Sequence, residues 1–129
     1  MSVELNHTIV HVADKQISAS FVAEILGLPE PKSFGPFLVV EMANGVSLDF
    51  MNHPGPIGVQ HYAFLISESE FETAFGRIKE RSLDYWADPF KNETGKINRR
   101  DGGRGCYFHE PSGHFLEILT VPYGGFSNR

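Results

Sequence analysis

The sequence predicts an α+β fold of two tandem βαβββ modules, and three observations carry that prediction. First, the chain repeats itself: Leu5-Asn6-His7-Thr8-Ile9-Val10-His11-Val12-Ala13-Asp14 is echoed by Val59-Gln60-His61-Tyr62-Ala63-Phe64-Leu65-Ile66-Ser67-Glu68, and Gly45-Val46-Ser47-Leu48-Asp49-Phe50 by Gly113-His114-Phe115-Leu116-Glu117-Ile118. A repeat of this length fixes architecture before any residue-level reading. Second, β-branched runs alternate with stretches of helical period. Third, His53 to Gly58 holds two prolines and two glycines and marks a linker between the halves.

The elements follow in order. Val3 to Val12 is rich in β-branched residues and predicts a strand carrying His7. Asp14 suits an N-cap for a helix over Lys15 to Leu26, with Ile17, Phe21 and Ile25 on one face and Gly27 closing it. After breaks at Pro29, Pro31, Gly35 and Pro36, with a short strand near Lys32 to Phe34, Phe37 to Met42 and Val46 to Met51 predict a hairpin. Its turn is Ala43-Asn44-Gly45, with the Asn-Gly signal.

In the second half, Val59 to Ile66 predicts a strand. Ser67 to Glu70 has capping-box spacing, and the helix that follows is expected to bury Phe71, Phe75 and Ile78. Leu83 to Ala87 predicts a short strand. Arg104 to His109 and His114 to Val121 predict a second hairpin turning at Glu110-Pro111-Ser112-Gly113, with proline where a type I turn favours it. The modules then span about 1–52 and about 57–123 of a single domain over 1–129.

Composition bounds the function. The 129 residues are 41% hydrophobic with 11 Phe, enough to fill a core, and the formal charge of −5 argues against nucleic acid as a partner. A single cysteine, Cys106, cannot form an internal disulfide and suits a reducing compartment. No basic-then-apolar leader opens the chain, and no apolar run approaches the ~20 residues a membrane span needs. The expectation is a cytoplasmic protein without membrane contact.

One segment breaks the symmetry. Asp88 to Gly103 is polar and aperiodic, and Lys91, Lys96, Arg99, Arg100 and Arg104 crowd in or beside it. Such a stretch is either a solvated loop or, on an acidic protein, an attractor for an anionic small molecule.

The chemistry-bearing residues lie in the strands. A histidine among apolar neighbours is more often a hydrogen-bonded core residue than a ligand, so His7 or His61 alone says little. Glu117 changes the weighting, because Phe115 and Leu119 flank it on its own strand face and no basic residue lies near it in the strand. Burying a lone carboxylate costs several kcal/mol unless it is paired or holds a metal. Two histidines and a carboxylate on core strands make the facial triad that suits a divalent ion such as Fe, Mn, Ni, Co or Zn, with positions open for substrate.

These residues, with the stretch Tyr107-Phe108-His109-Glu110-Pro111-Ser112-Gly113-His114-Phe115-Leu116-Glu117, resemble the vicinal oxygen chelate superfamily. That group includes glyoxalase I, extradiol dioxygenases, fosfomycin-resistance proteins and bleomycin-binding proteins. The resemblance spans nearly the whole chain. It implies βαβββ modules curling a mixed sheet into a cup with helices outside, and metal ligands His7, His61 and Glu117. It also implies a homodimer, in which modules can be exchanged so that His7 completes the partner's site.

Within the family, Asp49 sits where glyoxalase I would place a fourth ligand. It is one methylene shorter than the usual Glu, which favours substrate contact or a hydrogen bond to a ligand histidine. Asn98 lies where an extradiol dioxygenase would have an acid/base histidine, and an amide cannot shuttle a proton at neutral pH. His11 is a poor substitute. It is four residues along from His7, ~13 Å at strand rise.

Tyr107 and Glu117 are the catalytic candidates, and Arg104, Asp49 and Asn98 the substrate-binding ones. Arg104 reads equally as a surface arginine. Tyr123 reads as lining the cup or as partner surface, Cys106 as a small buried residue, and His53, His109 and His114 as structural. The shared superfamily step, chelation of a small substrate through neighbouring oxygens, implies a metal-dependent enzyme of glyoxalase or dioxygenase type. The rival is a non-catalytic drug-binding protein of the bleomycin-resistance kind, which has no need of the ligand triad.

Overall fold

A computed structural model of the chain describes residues 2–125. Two compact units, Met1–Gly58 and Val59–Arg129, divide it at the linker. Each is a βαβββ module, so the fold is α+β as the repeat predicts.

Unit 1 comprises β1 (His7–Val12), α1 (Lys15–Leu26), β2 (Lys32–Phe34), β3 (Phe37–Glu41) and β4 (Ser47–Asn52). The sheet order is β1-β4-β3-β2, with β1 parallel to β4 and the other pairs antiparallel. Strand β1 is shorter than its apolar pattern, since Val3 and Leu5 lie exposed before it. Val10, Val12, Val40, Leu48 and Phe50 face the core, and α1 packs on β3 and β4.

Helix α1 has the expected bounds. Asp14 accepts from the amides of Gln16 and Ile17, and Gly27 closes the helix at φ 67°, a left-handed conformation that costs glycine nothing. Of the predicted face, Ile25 is buried and Phe21 half-buried, but Ile17 is not. Ser18, Ala19, Val22, Ala23 and Ile25 are buried, whereas Ile17 is 57% exposed. Small residues let the helix lie close on the sheet, so the face is chosen by fit and not by the largest side chains.

Unit 2 comprises β5 (His61–Leu65), α2 (Glu68–Glu80), β6 (Tyr85–Trp86), β7 (Gly105–His109) and β8 (Phe115–Leu119). Its order, β5-β8-β7-β6, repeats that of unit 1, again with the first and last strands parallel. Both halves of the Ser67–Glu70 capping box form. Helix α2 buries Phe71, Ala74 and Ile78, while Phe75 stays half-buried, edge-on to Tyr85 at 5.0 Å. The turn after β7 closes with the Gly113 amide donating to the Glu110 carbonyl at 2.9 Å. No helix among the described residues is long and apolar enough to cross a membrane.

Candidate metal centre

In unit 2 the parallel pairing of β5 with β8 sets Ala63 opposite Glu117, with His61 two residues before it on the same face. The His61 Nε2 lies 3.1 Å from Glu117 Oε1, and its Nδ1 lies 2.9 Å from the Phe115 carbonyl oxygen. A carbonyl oxygen only accepts, so Nδ1 carries a proton, and Nε2 faces the carboxylate within hydrogen-bond reach. Glu117 is 1% exposed. Burial raises its carboxyl above the ordinary value, against the downward pulls of His61, Tyr107 and Arg100.

The residues fit a divalent ion. An imidazole nitrogen and a carboxylate oxygen 3.1 Å apart share a proton or, when Nε2 gives it up, can share a cation. Ligands about 2.1 Å from one ion, at right angles to each other, stand about 3 Å apart. Among the described residues, no group of three or more His, Cys, Asp and Glu side chains is gathered at one point, so His61 and Glu117 stand as a pair.

The second oxygen of Glu117 is also engaged. The Tyr123 hydroxyl donates to Oε2. Tyr107, opposite Glu117 on β7, has its hydroxyl 2.5 Å from that of Tyr123. Arg100 Nη1 donates to both, at 3.0 Å to Tyr107 and 3.2 Å to Tyr123. Because Tyr123 gives its proton to the carboxylate, Tyr107 must give its own to Tyr123. A directed chain therefore runs from the guanidinium through two phenols to Glu117. Burial pushes the Tyr107 hydroxyl above its ordinary value, so it stays a donor at neutral pH.

The aperiodic loop is a built support. Asn98 forms a two-way backbone bridge with Gly105, donates Nδ2 to the Ala87 carbonyl at 2.9 Å and accepts the Arg100 amide at 3.3 Å. Asp101 then turns through φ 54°, an unusual value for a residue other than glycine. Gly103 leaves no room for a side chain, since a Cβ there would meet Thr120 Oγ1 and Val121 Cγ2 at 2.7 Å. That close approach seats the segment after β8 against the loop, where the Gly124 amide donates to Asp101 Oδ2 at 3.0 Å. Lys91, also left-handed at φ 63°, holds its ammonium 5.3 Å from the Phe115 ring, which stacks on Tyr107 at 5.4 Å.

The predicted residues thus fall into groups. His61, Glu117 and Tyr107 come together. Asn98 is nearby, but both ends of its amide hold the loop. Arg104 is turned to α2, donating to Glu68 at 2.8 Å and to Glu72 and lying over the Phe71 ring at 4.6 Å. Arg100, expected only as part of the basic loop, and Tyr123, expected to line the cup or a partner's surface, both reach Glu117's hydrogen-bond chain. The basic loop and the Val121-Pro122-Tyr123-Gly124-Gly125 turn were their only signals. Cys106 is fully buried, and that burial, with the charge of Glu117, pushes its thiol up to about 12.

His7 and Asp49 occupy the equivalent positions of unit 1. Ile9 pairs with Asp49 as Ala63 pairs with Glu117, and His7 precedes Ile9 by two residues. His7 Nδ1 lies 2.7 Å from Asn6 Oδ1, while Asp49 accepts from the Ser47 hydroxyl at 2.9 Å. Both line an open groove with Phe37, Val39 and Lys32. His11 stacks on His53 at 4.8 Å.

No family model matches the chain. The glutathione transferase FosA of Serratia marcescens is 30% identical over 120 residues, which covers 88% of this chain and 78% of FosA. Among solved structures, the proteins named oxidase ChaP-H2 and oxidase ChaP-H1 match with TM-scores of 0.95 and 0.94. They are 58% and 62% identical, covering 97% and 96% of this chain and 98% and 100% of theirs. The fosfomycin resistance protein FosX of Mesorhizobium loti shares the fold at a TM-score of 0.68 and 18% identity, covering 95% of each chain. With His61 and Glu117 on paired strands of one of two equivalent modules, these likenesses settle the family: the chain belongs to the vicinal oxygen chelate superfamily, which includes metal-dependent enzymes.

Proposed function

We propose that the chain is a metal-dependent oxidase that binds a small, oxygen-rich substrate through neighbouring oxygens. The observation that carries this reading is the buried Glu117 carboxylate 3.1 Å from His61 Nε2 on the adjoining strand. His61 and Glu117 hold the ion, with His7 as the third ligand that the family resemblance implies. The oxidase assignment is supported by the names of the two relatives at 58% and 62% identity. FosA, named for glutathione transfer, stands at 30%.

A divalent ion held there polarises the substrate's oxygens and offers open positions beside them. The chain's own groups do the rest. The Phe115 carbonyl fixes the His61 tautomer and ring plane. Tyr107 and Tyr123 keep the carboxylate oriented, and the Arg100 charge offsets part of the cost of burying it. Lys91 and Arg100 bring positive charge to the aromatic patch beside the pair and favour an anionic substrate. The rival reading, a drug-binding protein without metal, does not call for a histidine and a carboxylate set side by side on core strands.

The test is metal analysis of protein purified without chelators, followed by oxygen-uptake assays with iron or manganese restored. A panel of catechols, α-hydroxyketones and α-hydroxyacids serves as substrate. One ion per chain and oxygen consumption that EDTA abolishes are expected. Failure to retain any ion on reconstitution would remove the metal reading. A bound ion with no oxygen consumed, alongside thiol transfer or isomerisation, would replace oxidase chemistry with the FosA or glyoxalase type.

A further inference from the structure

We infer that Tyr123, oriented by Arg100, is a positioning residue that pins one oxygen of Glu117 so that the other alone is offered beside His61. The inference rests on the metal reading above and adds two residues to it. Neither belongs to a strand of the module. Arg100 comes from the turn after Asn98, and Tyr123 from the segment after β8.

A buried carboxylate has two oxygens and can swing about its last bond. Left free, it would bind an ion through either oxygen or through both. In unit 2 the two oxygens have different partners: Oε1 faces His61 Nε2, and Oε2 accepts the Tyr123 hydroxyl. Rotation would break the tyrosine contact. Tyr123 is itself held from two sides, by Arg100 Nη1 at 3.2 Å and by the Tyr107 hydroxyl at 2.5 Å.

The scaffold beneath is specific. Arg100 Nη2 reaches the Ala87 carbonyl at 3.4 Å, the same oxygen that takes Asn98 Nδ2. The backbone is locked to its counterpart by Asp101 and Gly124, and Gly103 makes the approach possible. A tyrosine that served only as packing would need neither the arginine nor the left-handed Asp101. Tyr123 is also 43% exposed, so its apolar ring contributes little to a core. The hydroxyl is the part of the side chain that this arrangement places.

The probe is Co(II) alone, with affinity followed by calorimetry and coordination by the visible absorption spectrum. Tyr123→Phe keeps the ring and removes the donor. It is expected to weaken Co(II) binding about 10- to 100-fold, the usual effect of losing a partner of a metal ligand. The absorption bands should shift as the carboxylate is freed to bind through both oxygens. Arg100→Gln should weaken binding in the same direction, and most of its effect should vanish in the Tyr123→Phe background.

Melting of the metal-free proteins separates this from a structural role. A tyrosine that only packs would lower the melting temperature and leave affinity and spectrum unchanged, and that result would overturn the inference. Wild-type affinity and spectrum in Tyr123→Phe would overturn it while leaving the metal reading intact. Absence of Co(II) binding by the parent protein would overturn both.

Discussion

The two units carry the same strand order, the same parallel closure and the same register, yet only one has a closed site. In unit 2, Glu117 lies opposite Tyr107 and beneath Tyr123, and is 1% exposed. In unit 1, the equivalent Asp49 lies opposite Val39, takes a hydrogen bond from Ser47 and stays half-buried on an open groove. The histidines differ less. Each has an oxygen acceptor at Nδ1, Asn6 for His7 and the Phe115 carbonyl for His61, which leaves Nε2 for another partner. The lesson is that a repeated backbone places equivalent atoms, while the cover laid over them decides their chemistry. Unit 2 has the long loop between β6 and β7 and the segment after β8, whereas unit 1 joins the equivalent β2 and β3 through Gly35 and Pro36 alone.

The comparison can be tested from its strongest arm downward. Glu117→Gln should reduce metal affinity at least about 100-fold, since it removes a charged ligand. The same change should raise the melting temperature of the metal-free protein by a few degrees, because burial disfavours the charge and the glutamine amide can donate to His61 Nε2. A lower melting temperature would show that the ionised carboxylate stabilises the fold.

Cys106 measures how well the cover of unit 2 excludes solvent. Its thiol, pushed to about 12, should resist iodoacetamide at pH 8 in the native protein and react at once in denaturant, as mass spectrometry would show. Because the folded value is raised, the stability linked to this group is intact below the ordinary 9.0 and lost as pH climbs towards 12. Alkaline melts should fall steadily over that window.

Arg104→Gln probes the α2 clamp apart from the site. Its ion pairs are solvent-screened, so a loss of about 1 kcal/mol is expected, seen as a melting temperature several degrees lower. Metal affinity should not change. A large loss of affinity would return Arg104 to the substrate-binding role its sequence position suggested.

The smallest effect belongs to unit 1. Asp49→Asn should leave metal affinity within about threefold, because its carboxylate is turned to Ser47. A hundredfold loss would make it a fourth ligand and restore the full symmetry of the repeat.

Much of this was legible in the sequence for physical reasons. The repeat makes His7 and Asp49 equivalent to His61 and Glu117, and the matching register of the two units places them alike. Turn and cap chemistry at Asp14, Gly27, Asn44-Gly45 and Ser67 gives the element ends within a few residues. The choice between Arg100 and Arg104 was not legible. Both are arginines of the same basic stretch, and it is the Asn98 brace and the Asp101 backbone that aim one inwards. The contact of Tyr123 with Glu117 was not legible for a similar reason. Tyr123 follows the last strand, where no periodicity constrains direction, and a close approach at Gly103 decides where it goes. On α1, period alone favoured Ile17, although the sheet selected the smaller Ala19 and Ala23.

The place of β8 has a consequence for biosynthesis. It is the last strand of unit 2 to leave the ribosome, yet it inserts between β5 and β7. His61 is therefore made early and waits for Glu117, its partner across nearly the whole unit. A chain that stops at the Glu110 turn keeps the histidine and the loop but lacks the strand that joins β5 to the rest of the sheet. The proposed ion-holding pair therefore forms only once β8 has been made and has joined β5.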